Sequence, residues 1–323
     1  MQGQKSPERS AKTGVYVGID VCKDWLDVYL HPIGQTLRVA NTPEGLKTLH
    51  RTLKKSTVAL VVMEPTAKFH RLAHRTLDAQ GFAIAIVNPL RSRAFAEAIG
   101  QLAKTDRIDA RVLALMGQTL EPRASAPAPE ALEALQELLH ARAAAIADQT
   151  ALSNQRGASQ TKFLKSELDR RLKSLGGHIE RMDAEIERRI VDDPALKRRY
   201  EIVMSIPGVG PIAARALVVG IPELGSCSGK AATLLAGLAP LACDSGDKAG
   251  ERHIRGGRSF VRSSIYFAAL TASRFNPQLR EDYQRWIAAG KEAKVALTAV
   301  MRKIVVLANV LLIENRFWQP LHA

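Results

Sequence analysis

The stretch Val15-Tyr16-Val17-Gly18-Ile19-Asp20-Val21 decides how the rest of the chain is interpreted. Its odd positions are all aliphatic, and its even positions hold Tyr16, Gly18 and Asp20. Strict alternation predicts a β-strand with one face packed on a core. Asp20 then lies on the other face near the end of the strand, and Gly18 beside it leaves room for another group to approach. Since many strand-end aspartates only begin a turn, Asp20 gains meaning from other carboxylates aimed at the same point.

Further strands and helices are indicated on both sides of this stretch. Residues 25–30 alternate again after the short turn 22–24, so they predict an antiparallel hairpin with the first strand. The order then reads strand 37–40, helix from Pro43, strand 58–63, helix 67–79, strand 82–87, and helices 91–100 and 105–119. A hairpin followed by strand–helix units predicts a mixed sheet with helices on its faces, which is the layout of the ribonuclease H-like fold.

Three more carboxylates complete the candidate set. Glu64 follows the apolar run 58–63 and is held at its carboxyl end by Pro65, where open α/β sheets tend to carry their sites. Asp106 and Asp109 are three residues apart, so they share one helix face. Clustered carboxylate oxygens favour Mg²⁺, with Mn²⁺ as a substitute. The alternatives are first-turn acids that complement the helix dipole, or a salt-bridged solvent face.

Composition indicates the kind of partner. The chain has 323 residues, a formal net charge of +14 and a pI of about 9.9, which favours nucleic acid over an acidic small molecule, although a merely soluble basic surface has the same charge. The three cysteines are widely separated, and no signal peptide is visible. The run 304–313 is too short to cross a bilayer and predicts a buried helix. These features predict a cytoplasmic protein without a membrane partner.

The middle of the chain changes character after the Pro/Ala-rich linker 122–129. Beyond it, apolar residues recur at spacings of four and three, which is the period of a coiled-coil seam: Leu168, Leu172, Leu175, Ile179, Met182, Ile186 and Ile190. An earlier helix with a break near Gly157 is also indicated. A helical hairpin and a dimerising coil explain this pattern equally well. We expect this basic coil to contact phosphates.

The last region, from about Tyr200, carries two further motifs. The segment 206–211 reads Ile-Pro-Gly-Val-Gly-Pro before an alanine-rich helix, which is typical of a helix–hairpin–helix whose Gly208 and Gly210 admit a DNA phosphate to backbone N–H groups. Ser245 follows a Pro-containing turn, and its hydroxyl can attack a phosphodiester when cations hold the phosphate. The candidate cations are Lys248, Arg252, Arg255, Arg258 and Arg262. An ordinary loop, with Asp244 as a turn residue, is the alternative to a serine site with Asp244 as base.

Taken together, the segments 17–21, 63–64 and 104–110 resemble the acidic domain of the DEDD transposases of the insertion sequence 110 family. The segments 206–210, 237–240 and 245–246, followed by Gly257 and Arg262, resemble that family's C-terminal transposase domain. The resemblance covers nearly the whole chain in the same order, with a helical connector between the two parts.

This resemblance implies a specific chemistry. The N-terminal domain would be RuvC-like, with Asp20, Glu64, Asp106 and Asp109 as Mg²⁺ ligands, and Ser245 would form a transient phosphoserine link to DNA. Family members excise and insert their element through a circular intermediate, guided by a structured non-coding RNA called bridge RNA. They assemble as homodimers and homotetramers, in which the acidic domain of one subunit can complete a site with the serine domain of another.

The expected organisation is α/β plus all-α. It comprises a flexible tail 1–13, a RuvC-like domain 14–121, a linker and coiled-coil region 122–199, and a mostly helical transposase domain 200–323 with a helix–hairpin–helix. The expected function is a bacterial, nucleoid-associated transposase or site-specific recombinase that acts on element ends and target DNA. A RuvC-like nuclease or resolvase that uses water as nucleophile is the alternative. A non-catalytic nucleic-acid-binding protein is the third interpretation.

Overall fold

The structure is a computed structural model that describes residues 14–101, 106–242, 244, 250 and 252–320, except for the side chains of 106 and 107. The chain forms two compact units, which divide between Ala128 and Pro129. In the first unit the described strands are β1 (Val15–Val21), β2 (Trp25–His31), β3 (Gln35–Ala40), β4 (Val58–Met63) and β5 (Ile84–Ile86). Its described helices are α1 (Pro43–Leu53), α2 (His70–Ala79), α3 (Pro89–Ala98) and α4 (Asp106–Leu120).

The five strands form one mixed sheet in the order β3-β2-β1-β4-β5. The first three are antiparallel neighbours, whereas β4 runs parallel to both β1 and β5. The predicted hairpin and mixed sheet are therefore confirmed. This strand order, with helices after β3, β4 and β5, is consistent with a ribonuclease H-like domain.

Both faces of the sheet are covered, whereas the alternation in β1 predicts a core on one face only. The aliphatic positions of β1 pack with Leu46 and Leu49 of α1 and with Leu77 of α2. On the opposite face Tyr16 packs with Leu113 and Met116 of α4, in a second buried cluster. The predicted mixed sheet with helices on its faces accounts for both clusters, although the alternation in β1 alone does not show that α4 packs on the second face.

Two predicted helix starts also shift, for local reasons. The helix predicted from residue 67 begins at His70, because Ala67 has a φ of 45°, a left-handed conformation that a right-handed helix cannot include. The helix predicted from residue 91 begins at Pro89, because the Asn88 side chain caps it by accepting a hydrogen bond from the Leu90 N–H (2.8 Å). Thr105, the expected first residue of the helix that follows, lies outside the described residues.

The second unit is mostly helical. Its described elements are α5 (Glu130–Ala158), α6 (Lys162–Asp192), α7 (Pro194–Met204), α8 (Pro211–Gly220), α9 (Gly229–Leu235), β6 (Pro240–Leu241), β7 (His253–Ile254), α10 (Ser259–Phe275), α11 (Pro277–Ala288) and α12 (Ala293–Ile313). Strands β6 and β7 pair antiparallel, with Leu241 opposite His253. One large core joins residues from α5, α6, α7, α8, α10 and α12.

Helices α5 and α6 pack antiparallel, so the structure contains the helical hairpin that the spacing left open. Arg142 of α5 pairs with Asp183 of α6 (2.8 Å), and Arg156 pairs with Asp169 closer to the turn (2.5 Å). Five of the seven seam residues are buried, including Ile186 and Ile190 in the main core. A strict coiled-coil geometry and a dimerising role for this seam stay predictions.

Helix α12 is the one described helix long and apolar enough to cross a membrane by length and composition. Its packing indicates a core helix instead, since Val300, Ile304 and Val305 are fully buried in the main cluster. The polar Asn309 is buried within it as well, and its amide donates to the Cys227 carbonyl (2.9 Å) and accepts from the Gly225 N–H (2.8 Å). A buried amide with both kinds of partner suits a protein core.

Candidate active site

Asp20 and Glu64 lie at the carboxyl ends of two neighbouring strands, at the same level of the sheet. Ile19 of β1 pairs in parallel with Met63 of β4, and the two carboxylates come directly after these partners. Parallel neighbours are about 4.8 Å apart, so the two acidic residues begin at adjacent points of one sheet edge. Both side chains are partly exposed, which leaves them accessible to a ligand.

Helix α4 is brought onto β1 by the absence of a side chain at Gly18. A Cβ built there would lie 1.9 Å from the Ala110 carbonyl oxygen and 2.5 Å from the Ala114 nitrogen. Gly18 therefore lets the helix backbone rest directly on the strand. Asp109 precedes Ala110, so the same contact fixes the part of α4 that carries Asp109 against the strand that carries Asp20.

A serine that the sequence did not single out holds Glu64. Ser92 on α3 is buried, and its hydroxyl lies 2.6 Å from Glu64 Oε2 and 3.0 Å from the Pro89 carbonyl oxygen. A hydroxyl donating to a carboxylate at this distance is a strong, charge-assisted hydrogen bond. It fixes one oxygen of Glu64 and thereby orients the other. The only sequence signal is that Ser92 lies one turn after the Asn88-Pro89 helix start, which does not point to Glu64.

The sequence also showed no sign of an ion pair beside Asp20, between Asp27 and Arg38. Asp20 is paired across the sheet with Asp27, and Asp27 is paired with Arg38 on β3. The Asp27 side chain is almost fully buried, and Arg38 donates to both of its oxygens through Nε (2.9 Å) and Nη2 (2.7 Å). The guanidinium compensates the buried charge at Asp27. This arrangement depends on strand register, which composition and spacing do not supply.

The carboxylates of the candidate set fit a divalent metal in their chemistry. Carboxylate oxygens are the ligands that Mg²⁺ and Mn²⁺ prefer. Among the described side chains, however, no group of three His, Cys, Asp or Glu residues is close enough to hold a metal ion. The Asp106 side chain lies outside the described residues. The four-carboxylate centre thus stays a prediction.

In the C-terminal unit, the predicted serine segment lies between β6 and β7 in the chain. Ser245 and Lys248 themselves lie outside the described residues. The base of this β-hairpin is closed by Gly237 and Gly257, which both have positive φ (67° and 63°). A Cβ on Gly257 would lie 2.2 Å from the Gly237 nitrogen, so the two backbones touch at a place where no side chain fits. This contact brings together the chain before β6 and the chain after β7.

Two of the predicted phosphate-binding arginines contact the protein itself at this base. Arg262 Nη1 donates to the carbonyl oxygens of Gly237 (3.1 Å) and Gly256 (3.0 Å). Arg258 donates two hydrogen bonds of 2.6 Å to the carboxylate of Glu223. Burial alone would raise the pKa of Glu223, but the hydrogen bond and charge of Arg258 outweigh it and hold that pKa below its ordinary value. Both arginines thus stabilise the loop.

Of the other predicted cations that the structure describes, one is paired within the protein and one is not. Arg252 forms an ion pair with Asp244 (2.9 Å), and the other oxygen of Asp244 accepts the Gly250 N–H (3.0 Å), an arrangement that favours the turn interpretation of Asp244. Arg255 is exposed, and its side chain forms no hydrogen bond or ion pair within the part of the chain that the structure describes.

The predicted helix–hairpin–helix glycines have different surroundings. Helices α7 and α8 flank the turn as expected. Gly208 has a φ of 96°, and a Cβ there would lie 2.5 Å from the Ala272 backbone, so packing against α10 already explains this glycine. Gly210 precedes α8, provides no side-chain cap for it and has open space around it. Of the two, Gly210 has the backbone that a phosphate can approach.

Comparison with known proteins decides the family. Residues 17–158 match the model of the DEDD transposases of the IS110 type, described as "Transposase". Residues 200–284 match the model described as "Transposase IS116/IS110/IS902 family". The chain belongs to the IS110 family of transposases. The first IS110 match spans all four predicted carboxylates, and the second spans Ser245 and the five predicted cations.

The IS110-family chain is also similar to curated proteins over nearly its whole length. It is 27% identical to the "Pilin gene-inverting protein" of Moraxella bovis over 317 residues, which cover 93% of this chain and 96% of that protein. It is 28% identical to the protein of the same name from Moraxella lacunata, with the same coverage. Membership in the IS110 family supports enzymatic DNA recombination, with DNA as the substrate.

Proposed function

We propose that this chain is a serine-dependent transposase or site-specific DNA recombinase of an insertion sequence. The observation that carries the proposal is the sheet edge where Asp20 and Glu64 follow the paired residues Ile19 and Met63, with α4 seated on Gly18. The family match supports the general class, and the positions of these acids support the catalytic assignment. A nucleic-acid substrate also agrees with the net charge of +14.

Asp20, Glu64, Asp106 and Asp109 are the proposed ligands of Mg²⁺. A bound divalent ion supplies charge stabilisation to the phosphoryl oxygens during transfer. The chain's own contribution is to place the carboxylates before the ion arrives. Ser92 holds one oxygen of Glu64, and the contact between Gly18 and Ala110 holds α4 beside β1.

Ser245 is the proposed nucleophile. Its oxygen forms a bond to the scissile phosphorus, the bond from phosphorus to one deoxyribose oxygen breaks, and the serine proton passes finally to that leaving oxygen. The number of phosphoester bonds is unchanged, so a hydroxyl of another strand can reverse the step without ATP. This balance agrees with the absence of a Walker-type Gly-x-x-x-x-Gly-Lys-Ser/Thr motif in the sequence.

The proposed partners are the element ends, the target DNA and a structured guide RNA, acting with a homodimer or homotetramer in the bacterial cytoplasm, at the nucleoid. In such an assembly the acidic unit of one copy completes a site with the serine unit of another. The relatives' printed name, which refers to gene inversion, supports rearrangement of DNA segments as the outcome. The exposed Arg255 and the open backbone at Gly210 are available for phosphate contacts.

The test is incubation of the full chain with element-end DNA and its adjoining transcript in Mg²⁺, followed by denaturing electrophoresis and peptide mass analysis. We expect a DNA adduct on the peptide that contains Ser245. Ser245→Ala abolishes the adduct, and Asp20→Asn reduces it strongly. Asp24→Asn removes the same charge from an exposed turn residue and leaves the adduct unchanged.

Other outcomes select the alternatives. Cleavage without an adduct, retained in Ser245→Ala, indicates a hydrolytic RuvC-like nuclease with water as nucleophile. Full biological activity in both Ser245→Ala and Asp20→Asn indicates a non-catalytic binding protein.

A further inference from the structure

Charge is divided unevenly along the α5–α6 hairpin, the region that the sequence analysis expects to contact phosphates. Residues 130–192 contain ten Lys and Arg and eleven Asp and Glu, so the hairpin as a whole carries no net positive charge. The distal part, residues 149–178, has six basic and two acidic side chains. The rest of the hairpin has four basic and nine acidic side chains. Positive charge is therefore concentrated at the tip.

The acidic part of the hairpin already has partners within the protein. Asp183 accepts hydrogen bonds from Arg142 and Arg215, and Glu187 accepts from Arg215. Glu185 accepts from Arg188 and Arg189, and these two bonds lower its pKa to about 2. These charges stabilise the hairpin against α8 and along α6. Their packing role contrasts with the exposure of the tip.

The tip, defined as residues 149–178, is open to solvent. Lys162 and Lys173 are exposed and Lys165 is partly exposed, and none of their ammonium groups forms a hydrogen bond or ion pair within the described residues. Lys162 and Lys165 both lie in the first turn of α6, where no acidic residue occurs and the helix dipole is positive. These like charges make the electrostatic potential at this end of α6 positive. A bound polyanion would reduce the repulsion between them.

An exposed aromatic ring also lies in the first turn of α6. Phe163 is 76% exposed, one of the most exposed large apolar side chains of the described chain, and it directly follows Lys162. Aromatic rings beside cations are the usual platform for stacking unpaired bases while the cations hold the phosphates. The polar side chains of Asn154, Gln155 and Gln160 are exposed on the same tip.

We propose that the tip of the α5–α6 hairpin binds opened DNA, with Lys162, Lys165 and Lys173 on the phosphates and Phe163 stacked on an unpaired base. The proposal rests on the proposed recombinase function, because strand exchange exposes unpaired bases. DNA is the partner chosen because the family acts on DNA. A symmetric tip-to-tip contact between two copies is disfavoured, since it would bring two surfaces of the same charge together.

The probes are a fluorescein-labelled 30-base-pair duplex, the same duplex with a central eight-nucleotide unpaired bubble, and an RNA bubble of matching sequence. Binding of the full chain is measured by fluorescence anisotropy at several salt concentrations. The test variant is K162Q/K165Q/K173Q. The control variant, K47Q/K54Q/K55Q, removes three exposed lysines of the first unit and changes the net charge equally.

We expect the tip variant to weaken binding of both DNA probes at least about tenfold and to reduce the log–log salt slope by about 2.7, or about 0.9 per phosphate contact. The control variant changes the slope much less. Phe163→Ala, with its charge unchanged, weakens bubble DNA about tenfold and leaves the paired duplex unchanged.

Three results would overturn the proposal: equal slopes for the tip and control variants, a loss confined to the RNA bubble, or a change in oligomeric state without a change in DNA binding. The binding assay needs no catalysis, so it reports on the tip independently of strand cleavage. A failed recombination assay with intact tip-dependent binding would therefore reject the proposed function and leave the tip assignment standing.

Discussion

The sheet edge of the first unit and the base of the β6–β7 hairpin in the second unit both depend on a close backbone contact at a glycine. They hold their charged groups differently. At the sheet edge the Glu64 carboxylate is held by a neutral hydroxyl, that of Ser92. At the hairpin base Arg262 donates to two backbone carbonyls, and Arg258 pairs with Glu223. A neutral donor orients a charge and leaves it available to a ligand. By contrast, a carbonyl or carboxylate of the protein that accepts from an arginine uses N–H groups that could otherwise bind a phosphate.

The glycine contact at the sheet edge has the largest expected effect. In Gly18→Ala, the new methyl group would lie 1.9 Å from the Ala110 carbonyl, and neither backbone can move aside cheaply. We expect the first unit to lose about 3 kcal/mol or more of stability, at the upper end of overpacking costs. The measurement is amide hydrogen exchange of β1 and β4 in the native protein.

Gly176→Ala is the matched control, because no atom lies within 4 Å of the position that its methyl group would take in α6. Alanine is the better helix former, so the opening free energy measured by hydrogen exchange in α6 should rise by up to about 1 kcal/mol. Unchanged protection of β1 in Gly18→Ala would show that α4 does not rest on the strand.

Arg262→Gln tests the hairpin base directly. The guanidinium donates to the carbonyls of Gly237 and Gly256, and a hydrogen bond from a charged donor contributes about 1.5–3 kcal/mol. We therefore expect about 2 kcal/mol of destabilisation in urea unfolding of the second unit. The salt slope of DNA binding should stay the same if Arg262 serves the hairpin base, where its Nη1 donates within the protein, and not a phosphate.

Arg255→Gln is its counterpart, since Arg255 is exposed and without a partner in the described chain. It should leave unfolding unchanged and reduce the salt slope by about 0.9 if the residue contacts one phosphate. The opposite pattern, with Arg262 changing the slope and not the stability, would support the phosphate-binding role predicted for Arg262.

The sequence predicted those features that depend on neighbours in the chain. Alternation located β1 and β2, and Pro65 and the Asn88-Pro89 pair marked where strand and helix change over. The positions of Asp20 and Glu64 at strand ends followed from the same pattern. Ser92 was missed because its contact with Glu64 joins residues 28 positions apart through the packing of α3 on the sheet.

Charge roles were harder to predict than positions. Arg258 and Arg262 occur in a basic segment, and nothing in that segment shows that Glu223 and two carbonyls lie within reach. In the α5–α6 hairpin the charges can be counted in the sequence, but the antiparallel packing of the two helices decides that the basic excess of residues 149–178 lies at one end. Composition gives the number of charges, whereas packing decides which remain available.

Ser92→Ala has a smaller expected effect than Gly18→Ala and tests the neutral donor. Without the hydroxyl, one oxygen of Glu64 loses the 2.6 Å hydrogen bond that fixes the carboxylate. Partners that orient metal ligands typically contribute 10–100-fold to metal affinity, so we expect Mn²⁺ binding, measured by calorimetry on the full chain, to weaken by that factor. Ser92→Thr keeps a hydroxyl and should restore most of the affinity. Equal Mn²⁺ affinity in Ser92→Ala and the natural chain would limit Ser92 to packing α3, whereas no Mn²⁺ binding by the natural chain would reject the proposed metal site itself. Equal affinity concerns only the orientation of Glu64, because both proteins then bind the ion. Absence of binding by the natural chain concerns the role of Glu64 as a ligand.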